Sequence, residues 1–247
     1  MATNYGSLPV VTNGLVLYVD AANNVKSFTP GTATWSDMSG FGNDMTLLNG
    51  PASSSNPASI NTIQSSFSVM SFDQNAAADN ASTAQVGYGN FTGYKTDNYT
   101  FDLWINTTDN STAVWGKGII GCISGDIWSQ LVLKDNKFAF LYYTNQWLTL
   151  SSTTSINDGN WHHCVFVNHS NSTGDIYIDG VIEQDGGSTN YNTTGRYTKL
   201  STLGRGYGTG QTGTLDNTKF AQVKVYDRAL TAAEVLKNYN SAKGRFE

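Results

Sequence analysis

Three groups of side chains in this 247-residue sequence have the types and spacing to do chemistry: its carboxylates, its three histidines and the aromatic residues of its polar stretches. Cleaving a sugar bond with retention needs two carboxyl groups about 5–5.5 Å apart. A β-strand presents such a pair when two acids sit two positions apart, because alternate side chains share a face. Glu183-Gln184-Asp185 has that spacing, but Gly186-Gly187 follow at once and read as a turn. The other glutamates are Glu234, which falls in a helix-capping pattern, and Glu247 at the end of the sequence. His162 and His163 are adjacent, so on a regular strand they point to opposite faces and cannot line one site. Clustered His and Cys at zinc spacing is missing. His163 beside Cys164 is not a hydrolase pair, since catalytic Cys and His normally lie far apart in sequence. Gly204-Arg205-Gly206-Tyr207-Gly208 precedes a polar stretch and not a helix, so it is no phosphate loop. These residues assign no catalytic role, and the expectation is a protein that is not an enzyme.

Binding chemistry is better represented. A sugar ring offers an apolar CH face that stacks on Trp or Tyr, while its hydroxyls need polar partners. Trp128, Trp147, Tyr191, Tyr197 and Tyr207 lie in or beside polar, turn-rich segments, with Arg205 close to Tyr207. These six are the candidate ligand-binding residues, for a glycan or for a protein partner, because Tyr and Arg also serve protein interfaces. Trp35, Trp104 and Trp161 fit strand and core positions instead.

The elements that must position these residues are strands. Charged residues are 13% of the chain, aromatics 12%, and there are 25 glycines, a profile of short strands and many turns. Phe101–Ile105, Gln130–Leu133 and Phe138–Tyr143 read as strands. Asp135-Asn136 and Asp179-Gly180 supply two-residue hairpin turns. Only the end of the sequence reads as helix. Thr231 and Glu234 have capping-box spacing, Leu230 and Val235 flank them as a hydrophobic staple, and Val235, Leu236 and Tyr239 form an apolar stripe. The net charge of −5 comes with scattered basic residues, which argues against nucleic acid. No apolar run is long enough to span a membrane. Met1–Gly6 lacks the basic and apolar segments of a secretory signal, so Cys122 and Cys164, both in strand-like runs, are expected to be free thiols.

Four motifs, in order, resemble one family. They are Gly14–Ala21 followed by Trp35-Ser36-Asp37-Met38-Ser39-Gly40-Phe41-Gly42-Asn43; Asp158-Gly159-Asn160-Trp161-His162-His163; Asp175–Val181; and Val223–Glu234. The pattern resembles the laminin-G-like branch of the concanavalin A-like lectin/glucanase superfamily. The resemblance implies an all-β, concanavalin A-like jelly-roll sandwich of two antiparallel sheets with a short C-terminal helix. It also implies a single domain over 1–247 with its core at about 14–244. The glucanase pattern Glu-x-Asp-x-x-Glu is broken, because Ser188 stands where the second Glu belongs. Asp79-Asn80 resembles the first half of the family's calcium site; where the second half belongs the chain has Gly204–Gln211, with only Gln211, or Asp216 further on, able to contribute, so the expectation is no required cofactor, with Asp79 and Asn80 as the Ca²⁺ candidates. Domains of this type also occur in phage virion proteins, so the leading reading is a non-enzymatic structural and binding module of a virion, on capsid or tail. Its partners would then be other virion subunits and host surface glycans, with self-association as a homo-oligomer compatible. The alternative is a soluble or secreted, extracellular carbohydrate-binding lectin, and a glycoside hydrolase ranks third.

Overall fold

The computed structural model of the chain describes residues 9–23, 25–28, 34–49, 60–64, 67–72, 82–86, 98–111, 115–121, 129–143, 147–169, 173–188, 202–204, 213–215 and 217–246. The runs of alternating apolar residues become strands. In chain order these are β1 (Leu15–Asp20), β2 (Thr34–Trp35), β3 (Met45–Asn49), β4 (Ile60–Gln64), β5 (Phe67–Phe72) and β6 (Ser82–Val86). Next come β7 (Tyr99–Thr107), β8 (Lys117–Gly121), β9 (Ser129–Lys134), β10 (Lys137–Tyr143), β11 (Trp147–Ser155) and β12 (Trp161–His169). The last are β13 (Thr173–Ile178), β14 (Val181–Ser188), β15 (Thr202–Leu203), β16 (Gly213–Thr214) and β17 (Thr218–Tyr226), followed by α1 (Ala232–Ala242) and a 3-10 turn, Lys243–Arg245.

Among the described residues the strands form two sheets. One has the order β14-β13-β12-β7-β17-β5-β4, with β1 also paired to β17; the other has the order β11-β10-β9-β8-β15-β6-β3-β2. Every pairing is antiparallel except that of the two-residue β16 with β8. This is the sandwich expected from the sequence. The two predicted tight turns are present. Asp135 and Asn136 (φ 51° and 66°), and Asp179 and Gly180 (φ 52° and 78°), hold the left-handed pairs that match strand twist.

The inner faces of both sheets meet in one apolar cluster. Leu17, Val19, Leu103, Ile105, Phe166 and Val223 come from the first sheet, and Ile119, Ile120, Leu131, Leu133, Phe138 and Phe140 from the second. Phe140 and Phe166 stack across the interface with ring centroids 4.2 Å apart. Each such side chain contributes about 1.5–3 kcal/mol of burial. Trp35 lies in this core, and Cys164 is there as a buried free thiol, its pKa pushed up by loss of water. Cys122 lies outside the described residues.

The outer face of the first sheet is the unexpected one. Alternation along β7 and β17 puts Asp102, Trp104, Lys224 and Tyr226 on that face, which in an uncovered sandwich would meet water. The structure covers them instead with α1. The helix buries Val235, Asn238, Ser241 and Ala242, whereas Leu236, assigned to its apolar stripe, is 46% exposed. Trp104 is buried, but under the helix end and not between the sheets. Phe246 stacks on it at 4.2 Å and Tyr239 at 5.7 Å. Trp161, at the start of β12, is half-buried against Phe246.

The helix starts where the sequence says it does. Thr231 is extended (φ −75°, ψ 158°), its hydroxyl accepts from the Glu234 amide, and the Glu234 carboxylate accepts from the Thr231 amide. Arg228 donates to both Glu234 oxygens, which together with the cap draws that carboxyl down to about 2. Thr231→Ala is expected to cost about 1 kcal/mol, the usual worth of such a cap. Urea unfolding measures it, and an unchanged midpoint would show that the cap does not hold the helix in place.

Candidate functional site

The sequence-derived binding residues fall mostly outside what the structure describes. Trp128, Tyr191, Tyr197, Arg205 and Tyr207, together with the calcium candidates Asp79 and Asn80, lie outside the described residues. Trp147 opens β11, its backbone paired with Tyr143. The strand ends that flank several of these positions in the sequence are described. Thr202 pairs with Gly121, so the start of β15 sits at the Gly121 end of β8. Antiparallel pairing puts the start of β9, the end of β10 and the start of β11 at that same end.

The end of β14 belongs there too, because β14 runs alongside β11. Glu183 accepts from the Thr153 and Thr154 amides at 2.7 and 3.0 Å, and from the Thr154 hydroxyl. Four residues on, Gly187 lies against Leu150 so closely that a Cβ would come within 2.3 Å of a Leu150 methyl. Gly186-Gly187 are therefore not the turn that the sequence suggests. They lie within β14, where Gly186 (φ 62°) makes an irregularity in its pairing with β13 and Gly187 allows the close approach. Ser188, Thr202, Gly121, Ser129 and Trp147 thus gather at one end of the sandwich. The segments carrying Trp128, Tyr191 and Tyr197 begin and finish on those strand ends. Arg205 and Tyr207 are bracketed by Gly204 and by Gly213, which pairs with Lys117 at the opposite end of β8.

The carboxylate chemistry is also settled locally. Glu183 is occupied in tying the edge of one sheet to the edge of the other. Burial alone would raise its pKa, but the Thr154 and Thr153 donors hold it below the usual glutamate range. The carboxylate spends its acceptor sites on backbone and hydroxyl donors, which leaves it poorly placed as a nucleophile or a proton donor.

The histidines separate as strand geometry requires. His163 points outward and lies 3.1 Å from Asp102 under the helix. His162 points the other way, with Nδ1 2.8 Å from Asp179 and Nε2 3.2 Å from Asp158. Asp158 also accepts from the Asn160 amide, and Asp179 from the His163 amide, so His162 clamps the loop before β12 to the hairpin turn after β13. His169 pairs with Asp175 at 2.8 Å. Among the described residues, no group of three His, Cys, Asp or Glu is placed to hold a metal ion, and no helix is long and apolar enough to cross a membrane.

The polar cluster around Asp102 was not visible to sequence reading. Asp102 accepts from Lys224 Nζ at 3.0 Å and from Asn238 Nδ2 at 2.7 Å, and all three residues are fully buried. Burial would raise the pKa of Asp102, but the Lys224 charge and His163 hold it well below the usual range. A usable signal was present: opposite charges centred in two otherwise apolar strands, Phe101–Ile105 and Val223–Tyr226.

With fold and geometry in place, relationships to known proteins become specific. A family model described as concanavalin A-like lectin/glucanases superfamily, of laminin G type, matches residues 75–236. The chain belongs to that superfamily. No curated protein matches the sequence. Among solved structures, this superfamily member resembles a botulinum neurotoxin type C chain that depends on two ganglioside molecules to enter cells. The TM-score is 0.67 at 13% identity, covering 94% of this chain and 52% of that one. The binding domain of Paraclostridial Mosquitocidal Protein 1 matches with TM-score 0.63 at 16% identity, over 93% and 52%. The present chain thus spans about half the length of these toxin structures. Domain 4 of AbnA, an extracellular GH43 arabinanase of Geobacillus stearothermophilus, in complex with arabinotriose, matches with TM-score 0.65 at 17% identity, over 91% and 98%.

The His162 clamp carries a pH signature. Burial lowers the His162 pKa, but Asp179 and then Asp158 raise it, for a net rise above 6.5. A group whose pKa is raised on folding contributes stability that is complete below its unfolded value and is lost as pH climbs through the folded one. The wild type is therefore expected to exceed His162→Gln in melting temperature at about pH 5, with the gap closing toward about pH 9. A gap independent of pH would mean that His162 acts by shape alone.

Proposed function

We propose that this chain is a non-enzymatic, lectin-like carbohydrate-binding module. The observation that carries the reading is the likeness to arabinanase domain 4, a module of the same extent whose structure holds arabinotriose. Likeness to toxin chains, one studied with gangliosides and another in complex with SialylT, supports the same ligand class. Commitment of Glu183 to the sandwich edge supports binding over hydrolysis. The matched toxin and arabinanase domains favour the lectin reading over the virion module that the sequence first suggests, and they favour an extracellular setting.

The binding surface in this proposal is the end of the sandwich where Gly121, Ser129, Trp147, Ser188 and Thr202 converge. Trp147, Trp128, Tyr191 and Tyr197 are proposed as the stacking residues, with Arg205 and Tyr207 as further ligand-binding candidates. A rigid sandwich that presents loop side chains is the usual way to build such a site. Calorimetric titration with arabinotriose, and with vesicles containing a sialylated ganglioside, is expected to show binding to one of them with Kd on the order of 0.1–1 mM. Tyr197→Ala or Trp147→Ala is expected to weaken it at least about tenfold, a loss of roughly 1.4 kcal/mol. Release of reducing sugar from a β-glucan is expected to stay at the buffer rate. No binding to either probe, or hydrolysis of the glucan, would overturn the proposal.

Calcium is proposed not to be needed. A ligand that binds only the native state raises its melting temperature, so chelator and millimolar calcium are expected to give the same melt. A calcium-dependent rise that disappears in Asp79→Ala would assign the ion to Asp79-Asn80.

A further inference from the structure

The cluster under α1 holds an amine, a carboxamide and a carboxylate in one buried pocket. Lys224, Asn238 and Asp102 each have 0% exposure. Lys224 Nζ donates to Asp102 Oδ1 at 3.0 Å, and Asn238 Nδ2 donates to Asp102 Oδ2 at 2.7 Å. Asn238 Oδ1 accepts from the Val11 amide at 2.9 Å, and Asn238 Nδ2 also donates to the Tyr226 hydroxyl at 2.9 Å. Tyr18 lies over the amine, its ring centroid 5.7 Å from Nζ, and Tyr226, Val235 and Leu230 are buried alongside. An amine and an amide held on the two oxygens of one buried carboxylate are the reactants and the proton carrier of a transamidation.

We propose that Lys224 and Asn238 become joined by an intramolecular isopeptide bond that fastens α1 to β17. The resting pair is ammonium and carboxylate. Reaction begins when a proton passes along the 3.0 Å hydrogen bond, giving a transient neutral amine and neutral Asp102. The Nζ lone pair then attacks Cγ of Asn238, and the carbonyl electron pair moves onto Oδ1, where the Val11 amide stabilises the developing oxyanion. Asp102 gives its proton to Nδ2, the Cγ–Nδ2 bond breaks, and nitrogen departs as ammonia. The new amide passes its surplus proton to Asp102, which hands it to the departing ammonia and is left as carboxylate. In sum, a lysine ammonium and a carboxamide become a secondary amide and an ammonium ion, with no oxidant, cofactor or further reactant. His163 Nε2, 3.1 Å from the same Asp102 oxygen, orients the carboxylate and takes no part in bond making.

The test is the mass of the full chain, purified and denatured. The expected mass is lower than that of the sequence by one ammonia. Trypsin should then leave Lys224 uncut and yield a branched peptide in which residues 220–228 are joined to residues 238–243. Lys224→Arg and Asn238→Ala are each expected to restore the full sequence mass, and Asp102→Ala to leave Lys224 and Asn238 unjoined. A wild-type chain of full mass with Lys224 cleaved would overturn the proposal, whatever the variants do. Loss of ammonia confined to the 238–243 peptide, as a succinimide would give, would overturn it equally.

Discussion

The outer face of the first sheet depends on how one buried carboxylate is satisfied. Taking an ion such as Asp102 out of water costs several kcal/mol even after relaxation. Lys224, His163 and Asn238 offset that cost, and they come from β17, β12 and α1. Since β12 and β17 flank β7, the carboxylate fixes three neighbouring strands and the helix relative to one another. The orientation of α1 follows from this. Val235, Asn238 and Ala242 recur at helical spacing on the buried side, and a rotation that buried Leu236 would take Asn238 away from Asp102. A polar residue thus decides which side of an amphipathic helix faces inward. A second anchor lies nearby, where Arg245 grips Asp20 at 2.7 and 3.0 Å and Gln222 donates to the same carboxylate at 2.7 Å.

Much of this architecture was legible from residue patterns. Strand-like runs marked β7, β9 and β10, and Asp-Asn and Asp-Gly marked the tight turns. The Thr231–Glu234 spacing marked the helix start, and each of these rests on local geometry that sequence encodes directly. Burial of the outer sheet face was not legible for a simple reason. Alternation tells one face of a strand from the other, but it does not tell a face bathed in water from one covered by a helix. The helix that covers Asp102 and Trp104 therefore leaves no mark on the alternation of β7. Gly186-Gly187 misled for a different reason: two glycines signal backbone freedom, and here that freedom serves close contact with Leu150 inside a strand and not a change of direction.

The candidate binding site was less legible than the fold, for a physical reason. Aromatic residues in polar segments are named easily, but grouping them needs long-range register. Pairing of Thr202 with Gly121, and the Glu183 tie to Thr153 and Thr154, bring the described strand ends Gly121, Ser129, Trp147, Ser188 and Thr202 to one end of the sandwich. The same tie gives Glu183, within Glu183-Gln184-Asp185, backbone partners on the neighbouring sheet edge. A carboxylate that closes the open side of a sandwich has its lone pairs engaged already. A scaffold with its polar groups committed internally leaves recognition to what projects from the strand ends.

The Val11 amide donates to Asn238, and Tyr226 donates back to the Val11 carbonyl at 3.0 Å. The chain thus enters and leaves the sandwich at nearly one place. β1 and β17 run antiparallel from that place, Leu15 beside Tyr226 and Asp20 beside Gln222. Tension applied through the two ends would load this ladder like a zipper, one rung at a time beginning at Leu15, and not in shear across all rungs together. Whatever resists pulling in this fold must therefore lie ahead of the first rung, where the helix is seated on its carboxylate.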